Sequence, residues 1–260
     1  MELTLRQQEI LGMIRRNGSV EVDSLSDSFD VTTQTIRRDL NDLCDRGLAA
    51  RVHGGAREAH SISNVAYDKR RLMERSEKES IATLTASLIP DNCSVMMNIG
   101  TTTEQVALNL SGHSDLVIIS NNVNIINALI NSPRKELILA GGAVRQSDGA
   151  IVGHDAVEFI SRYKADFAVI GTSAMDEDGS ILDYDAREVS VARAILQNAR
   201  TKILVADSLK FDHSASVRIC GIADLDYLVT DKSPPKAFCA IAHAGGTQIL
   251  TPPDNNGITT

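Results

Sequence analysis

Several things are missing from this 260-residue chain, and each absence removes a class of protein. No run approaches the roughly twenty consecutive apolar residues that a membrane-spanning helix needs, so no membrane partner is expected. The opening MELTLRQQEI carries acid and polar residues where a signal peptide would have its apolar core, which points to a cytoplasmic protein and not a secreted one. Cys44, Cys93, Cys220 and Cys239 are scattered and form no CxxC pair, and the six histidines have no metal-ligand spacing. Neither a disulfide framework nor a zinc site is expected, and nothing asks for a cofactor. Positive charge is also short. The net charge is -8, and residues 1–57 hold eight arginines (6, 15, 16, 37, 38, 46, 51, 57) against nine acids (2, 9, 21, 23, 27, 30, 39, 42, 45). A diffuse polycationic nucleic-acid binder is excluded, and any DNA contact must come from local placement of a few arginines.

What is present begins with Thr32 to Leu48, TTQTIRRDLNDLCDRGL. Ile36, Leu40 and Leu43 recur at three- and four-residue spacing and predict a core-facing helical stripe. The other side collects Gln34, Arg38, Asn41 and Asp45, with Arg37 on the flank, Thr32 as a cap and Gly47 as the stop. Arginine can take guanine O6 and N7, an amide can take adenine N6 and N7, and threonine hydroxyls reach phosphate, so Thr33, Gln34, Thr35, Arg37, Arg38 and Asn41 are candidate DNA contacts. A solvated helix face has the same composition, so the surroundings must decide. Thr4-Leu5-Arg6-Gln7 is a capping-box pattern, followed by an apolar stripe of Leu5, Ile10, Leu11 and Ile14 that Asn17-Gly18 ends. Val20 to Phe29 predicts a second, short helix, and Asp30-Val31-Thr32 a tight connection. That order is helix-turn-helix order. Leu48 to Val52, His53-Gly54-Gly55 and Ala56-Arg57 then predict a hairpin wing, where Arg51, His53 and Arg57 would meet backbone phosphate or a minor groove.

Residues 1–57 therefore read as a winged helix-turn-helix and 58–74 as a polar linker, in which Lys69, Arg70 and Arg71 form a charge run. From 75 to 251 helices alternate with apolar strands, near Ser94–Ile99, Leu116–Ile119, Glu136–Ala140, Asp166–Ile170, Lys202–Ala206, Tyr227–Thr230 and Thr247–Leu250. That alternation predicts an α/β domain with a mainly parallel sheet. Residues 252–260 read as a disordered tail.

Each strand ends in small or polar residues, where open α/β sheets bind ligands. Gly100-Thr101-Thr102-Thr103 is the strongest candidate, because glycine, hydroxyls and free N–H groups at a helix start suit phosphate. It is neither a GK[ST] P-loop nor a GxGxxG loop. Asn121 and Asn122, then Gly141 and Gly142, mark two further polar edges, and Asp178-Gly179 reads as a turn. Asp183, Asp185 and Glu188 form an acidic cluster that can bind polyol hydroxyls, act as enzymatic bases, or simply complement a helix dipole. Arg145 and Lys210 are the basic residues placed to balance a phosphate.

The segments TTQTIRRDLNDL, RVHGGA, IGTTT, SNN, LAGG, DGAIVG and VADSLKF, in order over residues 3–235, resemble the DeoR-type family of bacterial transcription regulators. The segments SDGAIVG, DEDGSILDYDAREV and TDKSPP resemble its glycerol 3-phosphate branch. The resemblance implies a winged helix-turn-helix joined to a domain similar in fold to sugar-phosphate isomerases. It places Arg37, Arg38 and Asp39 in the DNA helix and Gly100, Thr101 and Thr102 in a phosphate loop. Two positions depart from the family pattern: Asn98 stands where aspartate is common, and Ala192 near where lysine is common.

A repressor is thus expected, binding double-stranded operator DNA as a homodimer or homotetramer and responding to a phosphorylated effector, glycerol 3-phosphate or another sugar phosphate. An isomerase-like enzyme using Asp183, Asp185 and Glu188 is the alternative.

Overall fold

The computed structural model describes residues 3–17, 19–45, 48–52, 54–58, 67–72 and 74–253. Two compact units divide between residues 65 and 66.

In the first unit, α1 (Leu5–Asn17) starts from the expected cap: Gln7 N–H donates to Thr4 Oγ1 at 3.2 Å and Thr4 N–H to Gln7 Oε1 at 3.0 Å. The short strand β1 (Ser19–Glu21) leads into α2 (Val22–Phe29). Asp30 then takes a left-handed conformation, and Val31 N–H bonds back to Ser26 O at 3.2 Å, turning the chain into α3 (Thr33–Asp45). Thr32 Oγ1 caps α3 by accepting Thr35 N–H at 3.3 Å. Ile36, Leu40 and Leu43 are buried with Ile10, Ile14 and Leu25, as the spacing predicts. β2 (Ala49–Val52) and β3 (Gly55–Glu58) form the wing hairpin, which pairs with β1 in the order β1-β3-β2. Sequence reasoning missed β1, since three residues have no period to detect. Gly55 is required by this pairing: a Cβ there would sit 2.0 Å from Val20 O. Gly18, Gly47 and His53 lie outside the described residues.

The second unit begins with an element the linker reading did not contain. Residues 67–72 form a helix, α4 (Tyr67–Leu72), which packs on the α/β domain, while 59–66 lie outside the described residues. Next come α5 (Arg75–Ser87), β4 (Ser94–Met97), α6 (Thr101–Asn109), β5 (Leu116–Ser120), α7 (Val123–Leu129) and β6 (Lys135–Leu139). A two-residue hairpin, β7 (Val144–Arg145) with β8 (Ala150–Ile151), precedes α8 (His154–Ile160) and β9 (Ala165–Ile170). β10 (Ala174–Met175), β11 (Ser180–Asp183), α9 (Ala186–Gln197), β12 (Ala199–Val205), β13 (Val217–Gly221), β14 (Tyr227–Val229), α10 (Lys236–Gly245) and β15 (Gln248–Leu250) complete the fold. Residues 254–260 of the expected tail lie outside the described residues.

Seven strands form one parallel sheet in the order β15-β14-β12-β9-β4-β5-β6. Alternate residues of each strand face opposite layers. Val95, Met97 and Ile118 pack under α5, α6 and α7, whereas Met96, Ile119 and Ala168 pack under α8, α9 and α10. The small antiparallel sheet β10-β11-β13 was not foreseen either; Asp178 and Gly179 form its first turn, where Ser180 N–H donates to Asp178 Oδ1 at 2.8 Å. From β4 the chain winds outward to β5 and β6, while β9 starts the run to β12, β14 and β15 on the other side. The carboxyl ends of β4 and β9 therefore flank the topological switch point, where open sheets part to leave a crevice.

Candidate functional site

Two acids fasten α3 to α1. Arg6 Nε donates to Asp39 Oδ2 at 2.6 Å, and Gln7 Nε2 reaches Asp42 Oδ2 at 2.9 Å and Asp39 Oδ1 at 3.5 Å. With Asp39 buried in this way, its place in the DNA helix is that of an anchor, and the outward face keeps exposed Gln34, Arg37 and Arg38, with Thr33, Thr35 and Asn41 half-buried beside them. Thr35 Oγ1 lies 2.9 Å from Thr32 Oγ1 at the helix start. Arg51 sits on β2. An amide and two guanidinium groups on one exposed turn can hydrogen-bond base edges and phosphates together.

The second site is a cleft at the switch point of the sheet, enclosing about 520 Å³ with its open mouth included. Its floor is the β4–α6 turn at Ile99, Gly100, Thr101 and Thr102, facing the β9 exit at Gly171, Thr172 and Ser173. Asn98 ties these two strand ends together: Gly171 N–H donates to Asn98 Oδ1 at 2.9 Å and Asn98 Nδ2 to Gly171 O at 3.4 Å. Aspartate, common here in the family pattern, could make only the first of these bonds. Gly100 caps α6 with φ 148°, a conformation open to glycine. The first N–H groups of a helix have no partners of their own, so this turn can receive an anion. Lys210, from the 3-10 turn Ser208–Asp212, and Arg70, from α4, bring positive charge to the cleft.

Part of the lining is acidic. Asp148, Asp183 and Glu188 line the cleft. Arg145 stands behind them, 2.5 Å from Asp148, 2.6 Å from Glu188 and 3.5 Å from Asp185. Burial, then the charge of Asp183, pushes the Glu188 carboxyl up to about 7, with Arg145 opposing the rise. Burial also raises the Asp183 carboxyl. These acids can accept hydrogen bonds from ligand hydroxyls, and they would repel a phosphate placed on their side.

Of the residues singled out from the sequence, Gly100, Thr101, Thr102, Asn122, Asp183, Glu188 and Lys210 meet in the cleft. Others have different places. Thr103 is fully buried and donates to Gly100 O at 2.8 Å, closing the turn from beneath. Asn121 is buried and donates to Ile151 O at 2.8 Å. Gly141 and Gly142 are exposed between β6 and the β7–β8 hairpin. Asp185 caps α9 through Arg187 N–H at 2.9 Å. Arg145 is taken up by carboxylates, so it steadies the acidic wall and does not line the cleft with Lys210. Reading strand ends missed Tyr67, Arg70, Asp148, Thr172 and Ser173. The fourth strand end, Gly171-Thr172, carries the same small and polar signal, and Tyr67 and Arg70 were hidden in an apparent linker.

Residues 6–62 match the family model of the DeoR-like helix-turn-helix domain, and residues 73–232 match that of the DeoR C terminal sensor domain. The chain belongs to the DeoR family. Among DeoR relatives, the glycerol-3-phosphate regulon repressor of Escherichia coli (strain K12) is 40% identical over 235 residues, 90% of this chain and 93% of that protein. The protein of the same name from Haemophilus influenzae (strain ATCC 51907 / DSM 11121 / KW20 / Rd) is 42% identical over 234 residues, 90% of this chain and 91% of that protein. A solved ribose 5 phosphate isomerase A from Neisseria gonorrhoeae aligns with 52% of this chain and 52% of its own at 11% identity and a TM-score of 0.38. The DeoR pairing of a DNA-binding domain with a sensor domain makes this chain a transcriptional regulator and not an enzyme. No described helix is long and apolar enough to cross a membrane. The second departure from the DeoR pattern, Ala192, is on the buried face of α9, in the core and outside the cleft lining.

Proposed function

We propose that this protein represses a glycerol 3-phosphate regulon in the cytoplasm, binding a palindromic operator as a homodimer or homotetramer and letting go when glycerol 3-phosphate fills the cleft. The observation that carries the reading is the polarity of the cleft. An anion-accepting helix start and Lys210 share one lining with the hydroxyl-accepting carboxylates Asp148, Asp183 and Glu188. A phosphomonoester carries about -1.5 to -2 charges at neutral pH, and its polyol end needs acceptors, so one ligand satisfies both kinds of group. The names of the two relatives support the choice of ligand. Two recognition helices in successive major grooves would supply the affinity that a near-neutral domain lacks. Release requires that the effector prefer the DNA-incompetent arrangement, and a hundredfold preference corresponds to about 2.7 kcal/mol.

Fluorescence anisotropy on a labelled fragment of the protein's own promoter, at fixed salt, tests the reading. Glycerol 3-phosphate should release the DNA, and glycerol or free phosphate should not. One observation favours a second reading, a larger sugar phosphate. Glycerol 3-phosphate has two hydroxyls for the three carboxylates Asp148, Asp183 and Glu188, and a longer polyol would use more of them. Release by a ketose or aldose phosphate, with indifference to glycerol 3-phosphate, would select it.

A further inference from the structure

The helix α4 lies outside both matched domains, yet it forms one side of the cleft through Tyr67 and Arg70. Six residues of helix do not sustain themselves in water, because nucleation outweighs so few hydrogen bonds. Side chains hold α4 in place. The Tyr67 hydroxyl donates to the Glu104 carboxylate and accepts from Asn124 Nδ2 at 3.0 Å. The same Asn124 Nδ2 lies 3.2 Å from Glu104 Oε1 and 3.0 Å from Asp148 O. Near the other end, the buried Lys78 Nζ donates to Arg70 O at 2.7 Å.

Tyr67 and Arg70 are three residues apart, so they share a face of the helix, and that face closes the cleft. Glu104, the partner of Tyr67, belongs to the same first turn of α6 whose Thr101 and Thr102 form the cleft floor. A ligand seated on that turn and the short helix α4 therefore stand on one support. Arg70 also opposes the rise that burial imposes on the Asp183 carboxyl, in keeping with both residues lining the one cleft.

We propose that Arg70 contacts the phosphate of the effector, and that α4 is the element whose placement reports occupancy of the cleft to the chain leading to the DNA-binding unit. The proposal rests on reading the cleft as a phosphorylated-effector site. A guanidinium offers paired donors that match two phosphate oxygens, which Lys210 alone cannot do. A dianion at the start of α6 draws Arg70 to it and adds a tether to this short helix. The residues directly before α4 in the chain, 59–66, lead to the wing hairpin at Glu58.

The test uses the full-length protein with glycerol 3-phosphate and a panel of sugar phosphates, read by calorimetry, operator anisotropy and amide exchange. Arg70→Ala should lower effector affinity by about tenfold or more, with Arg70→Lys recovering part of the loss. Tyr67→Phe should speed exchange of the 67–72 amides and shrink the ratio of operator affinities without and with effector. In the wild-type protein those amides should exchange more slowly once effector is added. Wild-type affinity in Arg70→Ala, or 67–72 amides that ignore a bound effector, would overturn the proposal while leaving the effector reading intact. A wild-type protein that binds no compound in the panel would overturn both.

Discussion

Arg6 and Asp39 meet at 2.6 Å across the α1–α3 interface, and the carboxylate of Asp39 is spent on holding the recognition helix and not on reading DNA. Its neighbours in sequence, Arg37 and Arg38, are exposed. Adjacent residues of one helix thus differ in place: Asp39 fastens the helix to α1, and Arg37 and Arg38 stand on its exposed face.

Asp39→Ala should therefore act through stability. Removing it takes away the carboxylate that Arg6 Nε donates to, while Gln7 keeps Asp42, at a cost of about 1–3 kcal/mol. Differential scanning calorimetry should show a lowered transition for the N-terminal unit, with operator binding lost in proportion. An unchanged transition would mean that the ion pair is incidental.

Arg38→Ala should do the reverse. The melting transition should stay in place while specific operator affinity falls by about 1–3 kcal/mol, since an exposed guanidinium contributes little to folding. Titrations at several salt concentrations measure this, and loss of affinity confined to specific sequence would mark a base contact over a phosphate contact.

Gly100→Ala should damage the cleft. The backbone there has φ 148°, and an added Cβ would stand 3.1 Å from Thr103 Oγ1, the hydroxyl that closes the turn. We expect about 1–2 kcal/mol lost from the C-terminal unit and markedly weaker effector binding, measured by calorimetry. Operator binding without effector should persist.

The Glu188 carboxyl, raised to about 7 from an ordinary 4.5, makes stability depend on pH. Between those values the folded protein holds a proton that the unfolded chain has released, so stability falls as pH rises through the window and levels off above it. Asp183, also raised by burial, acts in the same direction. Thermal melts from pH 5 to pH 8 should show the C-terminal unit losing on the order of 2–3 kcal/mol, and Glu188→Gln should flatten the slope. A slope unaltered in that variant would assign the effect elsewhere.

The sequence by itself determined whatever depends on neighbours along the chain. The Thr4–Gln7 and Thr32 caps, the Ile36–Leu40–Leu43 stripe, the wing hairpin and the polar strand ends at Gly100 and Asn122 are local or periodic signals, and each element stands where those signals put it. Tertiary structure alone decided which of the polar groups meet. Tyr67, Gly100, Asp148, Thr172 and Lys210 converge from five separate stretches because parallel strands bring distant turns to one edge of a sheet, and no spacing in the chain encodes that. The same holds for Arg145, which offered a plausible phosphate ligand as an isolated cation. The fold places three carboxylates within reach of its guanidinium, and a buried charge takes the opposite charges nearest to it.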